Sequence, residues 1–341
     1  MSVSPTPIRV HTEVLHALDA VDGERAAPGI VAQLEATLRL IDSQIVTEVA
    51  SLTEVTTHLL GGTSKLVRPI FLLLSAAAGH PAGRWADSAR TMAAVIEIAH
   101  VATLYHDDVM DEARSRRGLA SANFRFGNSY AVIAGDLLLS RALEMACAVG
   151  VEQCRLVSQT LRFLCQGQAL EMRDQYCTER TVEDYLLSIR GKTAELFSAA
   201  CAAGAMEAAL AAPDIGRFAA FGRSLGLAFQ IVDDIGDLCS THAQAGKPTM
   251  NDIREGVYTL PVIEAMRRDG GLKQDITDDR ADVLDNSDAL RARIIATGAV
   301  QYAKAVACDH INAAVGVLDE VSNPAPSVAT MQAMARALDR G

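Results

Sequence analysis

The chain has 341 residues, half of them hydrophobic and 21% charged, which supplies ample core and excludes global disorder or a fibrous repeat. A net charge of −11 argues against a nucleic-acid partner, because sequence-independent binding needs a basic footprint that displaces counterions. None of the seven cysteines forms a CxxC pair, so they read as buried thiols in a reducing cytosol; the start MSVSPTPIRVH carries no apolar signal core and no uncharged run is long enough to span a membrane, so a cytoplasmic protein is expected.

In chain order, residues 1–30 hold three prolines and little periodicity and read as a flexible arm, followed by one domain over 31–341. A first helix is predicted near 31–60, ended by Gly61-Gly62. Lys65 and Arg68-Pro69 follow. Residues 82–212 contain no proline, are rich in Ala, Leu, Met, Glu and Arg, and predict a series of long helices. No convincing alternating run of β-branched and aromatic residues appears, so the fold class is all-α. The stretch from Asp269 to Asp288 holds seven aspartates and reads as a solvated loop and helix start, and a short helix resumes after Asn323-Pro324.

Two acidic clusters carry the chemistry. His106-Asp107-Asp108-Val109-Met110-Asp111 follows nearly apolar helical text from Val95 to Tyr105. Positions i and i+4 share a helix face, so Asp107 and Asp111 repel each other beside apolar neighbours, a cost that a hard divalent cation with oxygen ligands removes. The pattern recurs at Asp233-Asp234-Ile235-Gly236-Asp237 after a second apolar helix. Basic groups accompany them: Lys65 and Arg68, Arg116-Arg117-Gly118, Lys192-Thr193 and Gly246-Lys247. Each alone reads as a surface salt-bridge partner; the set outlines a site for two polyphosphate groups, one held by metals and the other by cationic side chains.

The segments IEIAHVATLYHDDVMDEARSRRG, GNSYAVIAGDLLLSRAL, GKTAELFSAAC, LGLAFQIVDDIGD and GKPTMNDIREGVYTLPVI together resemble the trans-isoprenyl diphosphate synthases, or polyprenyl synthetases, over roughly residues 31–320 in the family's order. The resemblance implies a bundle of about ten or more helices around a deep central cavity, as a homodimer. It implies head-to-tail condensation of isopentenyl diphosphate with an allylic diphosphate, with about three Mg²⁺ ions, replaceable by Mn²⁺. Position by position, Asp107, Asp108 and Asp111 match the metal ligands of the first motif, and Asp233 and Asp237 those of the second. Arg116, Lys192, Thr193, Gln230 and Lys247 match positions that hold the allylic diphosphate, and Lys65, Arg68, His100 and Arg117 those that bind isopentenyl diphosphate. Asp107, Asp111, Asp233 and Lys192 are the candidates for catalysis itself. Two departures stand out: Thr63 and Ser64 intervene between Gly61-Gly62 and Lys65, and Val257 stands where the family often has lysine.

The reaction needs no protein nucleophile, and no Cys-His pairing is evident. His106 reads as an orienting group beside ligating carboxylates rather than a base. Product length is set in this family by bulky residues just before the first motif, where this chain has Ala99, Ala102 and Thr103, so the product is expected to be geranylgeranyl diphosphate or longer, released with peripheral membrane contact. Tyr105 lies two residues before Asp107 and points about 200° around the helix from it. A terpene cyclase would need Asn-Asp-x-x-Ser-x-x-x-Glu, whereas Asn251-Asp252-Ile253-Arg254 leads directly to Glu255. An HD-type phosphohydrolase leaves the second cluster unexplained, a non-catalytic subunit of a heteromeric synthase should have lost carboxylates or basic contacts, and a helical scaffold leaves the ordered motifs without a reason.

Overall fold

A computed structural model describes Leu18, Arg25 and residues 27–59, 66–79, 86–116, 118–239, 250–278, 287–322 and 324–338. It divides into two compact units: residues 1–161 with 196–222 and 317–334, and residues 162–195 with 223–316 and 335–341. Most of the predicted arm over 1–30 and the Gly61-Gly62 turn lie outside the described residues.

In the first unit, α1 (Ile30–Gln44) and α2 (Ala50–His58) replace the single helix predicted near 31–60. The break follows from threonines that compete with the helical ladder. The Thr47 backbone N–H donates to Thr53 Oγ1 at 2.9 Å, and Thr56 Oγ1 donates to the Ile45 carbonyl at 2.8 Å. Next come α3 (Val67–Ala77) and α4 (Asp87–Met110), whose first turn starts the proline-free region. From Met92 to Ala102 all but His100 of α4 is buried, because α1 and α3 pack on it together with α6 (Asn128–Val149), which follows the short α5 (Ala122–Phe126). Burying each large aliphatic there contributes about 1.5–3 kcal/mol. Between α4 and α5 the pairs Ser115–Arg116 and Leu119–Ala120 form a minimal antiparallel hairpin, with Gly118 at φ +77° in its turn. The proline-free region continues with α7 (Val151–Arg173), whose residues from 162 onwards belong to the second unit, the short α8 (Val182–Ile189) of that unit, and α9 (Glu195–Glu207).

In the second unit, α8 starts at a capping box in which Thr181 and Asp184 satisfy each other's backbone N–H groups. It runs into a π-helical turn, Arg190–Ala194. The long α10 (Ala212–Cys239) gives its residues from 223 onwards to this unit, and α11 (Asn251–Glu255) and α12 (Leu260–Arg268) follow. Their core joins Tyr185, Ile189, Ile231, Ile235, Tyr258 and Leu260. The aspartate-rich stretch is in part a helix, α13 (Gly270–Asp278), and Asp269 is tied to Arg293 at 2.8 Å; residues 279–286 lie outside the described ones. Beyond Asn323-Pro324 the expected helix spans Pro326–Ala337.

The cysteines differ from expectation. Cys147 and Cys154 lie on either side of the turn at Gly150, which brings their Cα atoms to 4.8 Å, and their sulfurs are paired. Cys165 and Cys239 are exposed, whereas Cys201 is a buried thiol, pushed up to about 12 by burial. Among the described residues no helix is long and apolar enough to cross a membrane.

Candidate active site

The first aspartate motif sits where α4 ends. Asp107 and Asp108 occupy its last turn and Asp111 is its C-cap, the Asp111 N–H donating to the Asp107 carbonyl at 2.8 Å. A helix C-terminus carries the negative end of the macrodipole, so carboxylates there are disfavoured and cations favoured by about 0.3–1 kcal/mol each. No basic residue stands in the last turn of α4. The second motif repeats this: Asp233, Asp234 and Asp237 lie in the final turns of α10, whose last turn also lacks a basic residue. Two helices that end on carboxylates against their own dipoles are poor design for stability and good design for binding cations.

The motif positions divide by burial. Asp107 and Asp111 are half-buried, whereas Asp108, expected as a metal ligand beside them, is 0% exposed and turned to Arg116. The Arg116 Nε donates to Asp108 Oδ1 at 2.7 Å. Burial pushes the Asp108 carboxyl up against the opposing pull of Arg116; Arg116 itself is raised, because Asp108, Asp107 and Asp111 outweigh its own burial. Arg116 is thus fixed at the edge of the carboxylate pair by the aspartate that is not facing outward. His106 Nε2 lies 3.3 Å from the Val132 carbonyl and 3.2 Å from Asp136, both on α6, so its ring is turned to that helix.

Arg68 opens α3 with its guanidinium over the Phe197 ring at 4.6 Å, and His100 is half-buried on α4; both belong to the first unit with Asp107 and Asp111. Tyr105 points away from the motif face as expected. It is buried, and its hydroxyl donates to the Val55 carbonyl of α2 at 2.5 Å. Of the three product-length positions, Ala99 and Ala102 are packed into the core at 1% and 0% exposure, so their side chains line no open space. Only Thr103 keeps exposed surface, its hydroxyl donating to the His100 carbonyl at 2.7 Å. Close packing of α1, α3 and α6 on α4 covers the alanines, which spacing from Asp107 could not foresee.

In the second unit the π-helical turn carries Lys192 and Thr193. A π turn inserts an extra residue into the helical repeat and re-aims the side chains around it. It is seated by a glycine crossing: a Cβ on Gly191 would lie 2.7 Å from the Gly167 Cα of α7. Lys192 Nζ meets Glu171 Oε1 at 2.6 Å. Thr193 Oγ1 donates to Gln230 Oε1 at 2.7 Å, Gln230 Nε2 donates to Asp234 Oδ1 at 2.7 Å, and the Tyr185 hydroxyl donates to Asp234 Oδ2 at 2.6 Å. The structure therefore brings together Lys192, Thr193, Gln230 and the second motif. Burial first, then the charge of Asp233 and Glu171, pushes Asp234 up to about 7 against the hydrogen bonds from Tyr185 and Gln230. Asp252 on α11 is pushed well above the ordinary carboxylate range by burial and by Asp234, Asp237, Glu255 and Glu171.

This crowding is what a divalent cation would relieve, and an all-oxygen donor set suits a hard ion such as Mg²⁺. Among the described residues no three His, Cys, Asp or Glu side chains converge into a finished cage. Lys65, Arg117 and Lys247 lie outside the described residues. Sequence reasoning missed Glu171, Tyr185 and Asp252. Neither Tyr185, forty-nine residues from its partner Asp234, nor Glu171, twenty-one residues from Lys192, had a local signal.

The pattern of the family described as Polyprenyl synthetase matches residues 49–306. The chain belongs to that family. It is 39% identical over 242 residues to the nonaprenyl diphosphate synthase of Mycobacterium tuberculosis, an alignment covering 69% of this chain and 72% of the relative. It is 35% identical over 227 residues to heptaprenyl diphosphate synthase component 2 of Geobacillus stearothermophilus, covering 66% and 70%. The crystal structure of a polyprenyl synthase from Caulobacter crescentus, complexed with calcium and isoprenyl diphosphate, superposes with a TM-score of 0.86 at 26% identity over 100% of this chain and 99% of that one. The all-α fold is thus that of the isoprenyl synthases, and the polyprenyl synthetases are trans-prenyltransferases of isoprenoid biosynthesis.

Proposed function

We propose that this chain condenses isopentenyl diphosphate with an allylic diphosphate, head to tail, to make a trans-polyprenyl diphosphate of geranylgeranyl length or longer. The observation that carries the reading is the pair of carboxylate clusters at helix C-termini, the first with Arg116 beside it and the second with Thr193 and Gln230 joined to it by hydrogen bonds. Asp107 and Asp111, and Asp233 and Asp237, would hold Mg²⁺, with Mn²⁺ able to replace it; Asp108 is assigned instead to holding Arg116. Asp107, Asp111, Asp233 and Asp237 would hold the ion, and when bound it would supply positive charge where negative charge develops on the departing diphosphate. Lys192, Thr193, Gln230, Arg116 and Lys247 bind the allylic diphosphate, and Arg68 and His100, with Lys65 and Arg117, bind isopentenyl diphosphate. Lys192 is delivered at a fixed place by Glu171, and its charge complements the leaving group. The allylic C–O bond breaks, a C–C bond forms to the double bond of isopentenyl diphosphate, and a proton leaves with the departed diphosphate as base.

We read residues 31–341 as one catalytic domain behind an arm over 1–30, working in the cytoplasm and releasing its apolar product at a membrane surface. A homodimer is supported by apolar side chains left in solvent on α5 and α6: Phe124 is 63% exposed, Tyr130 45% and Ile133 52%. Likeness to component 2 of a heptaprenyl synthase favours a second arrangement, in which another polypeptide completes the enzyme.

The test is incubation of purified protein with Mg²⁺, isopentenyl diphosphate and, in turn, dimethylallyl, geranyl, farnesyl and geranylgeranyl diphosphate, followed by chromatography of the dephosphorylated products. Products longer than farnesyl are expected. A product that stops at farnesyl overturns the length assignment, and no product from a chain that sediments as a monomer favours the two-polypeptide arrangement.

A further inference from the structure

Tyr185 is 1% exposed in the core of the second unit, yet its hydroxyl is spent on a motif carboxylate rather than on the backbone. The hydrogen bonds form one line: Tyr185 to Asp234 Oδ2 at 2.6 Å, Gln230 Nε2 to Asp234 Oδ1 at 2.7 Å, and Thr193 Oγ1 to Gln230 Oε1 at 2.7 Å. Gln230 and Asp234 are four residues apart and share a face of α10. With the Gln230 amide nitrogen turned to Asp234, its carbonyl must face Thr193. Both oxygens of Asp234 are therefore used by uncharged donors, and the residue sits between Asp233 and Asp237 on the same helix end.

The tyrosine ring is itself held. The Arg180 guanidinium lies over it at 5.5 Å, and Arg180, 4% exposed, donates to the Tyr258 carbonyl at 2.9 Å and to the Ser188 hydroxyl. Ser188 in turn donates to the Tyr185 carbonyl at 2.8 Å, and the capping box at Thr181 fixes where α8 begins. A phenylalanine would fill this space equally well. The hydroxyl is the one atom of the side chain whose purpose is not packing, and removing it strands a buried carboxylate oxygen.

We propose that Tyr185 is a positioning residue for the allylic diphosphate site: by holding Asp234 from α8, it sets the rotation of the α10 end that presents Asp233 and Asp237 and locks the amide of Gln230 toward Thr193. The inference rests on the function proposed above. It predicts a selective defect, because isopentenyl diphosphate is assigned to residues of the other unit.

The experiment is Tyr185→Phe in the full chain, with each substrate and Mg²⁺ varied separately. Turnover should fall about tenfold, and the allylic KM and the Mg²⁺ concentration for half-activation should each rise at least about threefold, while the KM for isopentenyl diphosphate stays within about twofold. In an Asp234→Asn background the tyrosine substitution should add nothing further. If Tyr185→Phe fails to fold, Asp234→Asn alone is read for the same selectivity. Wild-type kinetic constants in Tyr185→Phe, or an equal rise for both substrates that tracks a fall in Tm, would overturn the assignment of Tyr185. Absence of turnover in the wild type would instead overturn the function it rests on.

Discussion

Asp107 and Asp108 are adjacent in sequence and opposite in circumstance, one half-buried at a helix end beside Asp111, the other fully buried on Arg116. Their alanine variants should therefore differ in kind. Asp107→Ala removes one of two repelling carboxylates; turnover should fall at least about a hundredfold with Tm changed by no more than about 2 °C. Asp108→Ala strips a charge-assisted hydrogen bond from a partly buried arginine and should cost about 1–3 kcal/mol of stability as well as activity. Urea titration beside the kinetic assay separates the two, and equal loss of stability in both would refute the division. The basic groups also separate. Arg68→Ala should chiefly raise the KM for isopentenyl diphosphate, and Lys192→Ala should chiefly impair use of the allylic substrate while leaving Glu171 without its cation. Steady-state kinetics with one substrate varied at a time decides; equal effects on both substrates would sink the assignment.

Among elements, the π turn at Arg190–Ala194 and the helix α4 carry the most specific consequences. A methyl group at 191 would press on the Gly167 Cα from 2.7 Å, and backbone on backbone leaves nothing flexible to yield. Gly191→Ala should separate α7 from the turn, withdraw Lys192 from Glu171, and lower both Tm and turnover with the allylic substrate. Unchanged kinetics would show that the crossing is packing alone. On α4, Thr103 is the position where bulk can be added toward open space, since Ala99 and Ala102 are enclosed. Thr103→Phe should shorten the product, read by chromatography after dephosphorylation, whereas Ala102→Phe should instead destabilise the fold by about 1–3 kcal/mol through overpacking. A full-length product from Thr103→Phe would place the length determinant on another helix.

For the molecule as a whole, Mg²⁺ held through one or two carboxylates completes its shell with substrate phosphates, so cation and diphosphate should bind as one event. Mg²⁺ alone should raise Tm little, inorganic diphosphate alone little, and both together by several degrees, because only the joint complex is held by carboxylates and cationic side chains at once. Chelation of divalent ions should abolish turnover, and Mg²⁺ or Mn²⁺ should restore it. A shift with Mg²⁺ alone as large as that with both would show a preformed metal site.

The all-α class, the two aspartate motifs and the outer ligand candidates in each were legible in the sequence because they rest on local rules: proline placement, helix propensity and the one-turn spacing of Asp107 with Asp111 and of Asp233 with Asp237. The break inside the first predicted helix is not legible, because Thr47, Thr53 and Thr56 interrupt it through side-chain hydrogen bonds that composition does not display. The roles of Asp108 and Asp234 were hidden for a different reason. Spacing places a residue on a face but does not say whether that face looks toward solvent or toward Arg116 and Tyr185. Glu171 and Tyr185 became visible only through tertiary structure, since a hydrogen bond between residues twenty-one or forty-nine positions apart depends on how helices pack. The same holds for Ala99 and Ala102: their small side chains signalled open space, and the helices packed on α4 fill it. Local chemistry is written in the order of residues, whereas burial and partnership belong to the packed chain.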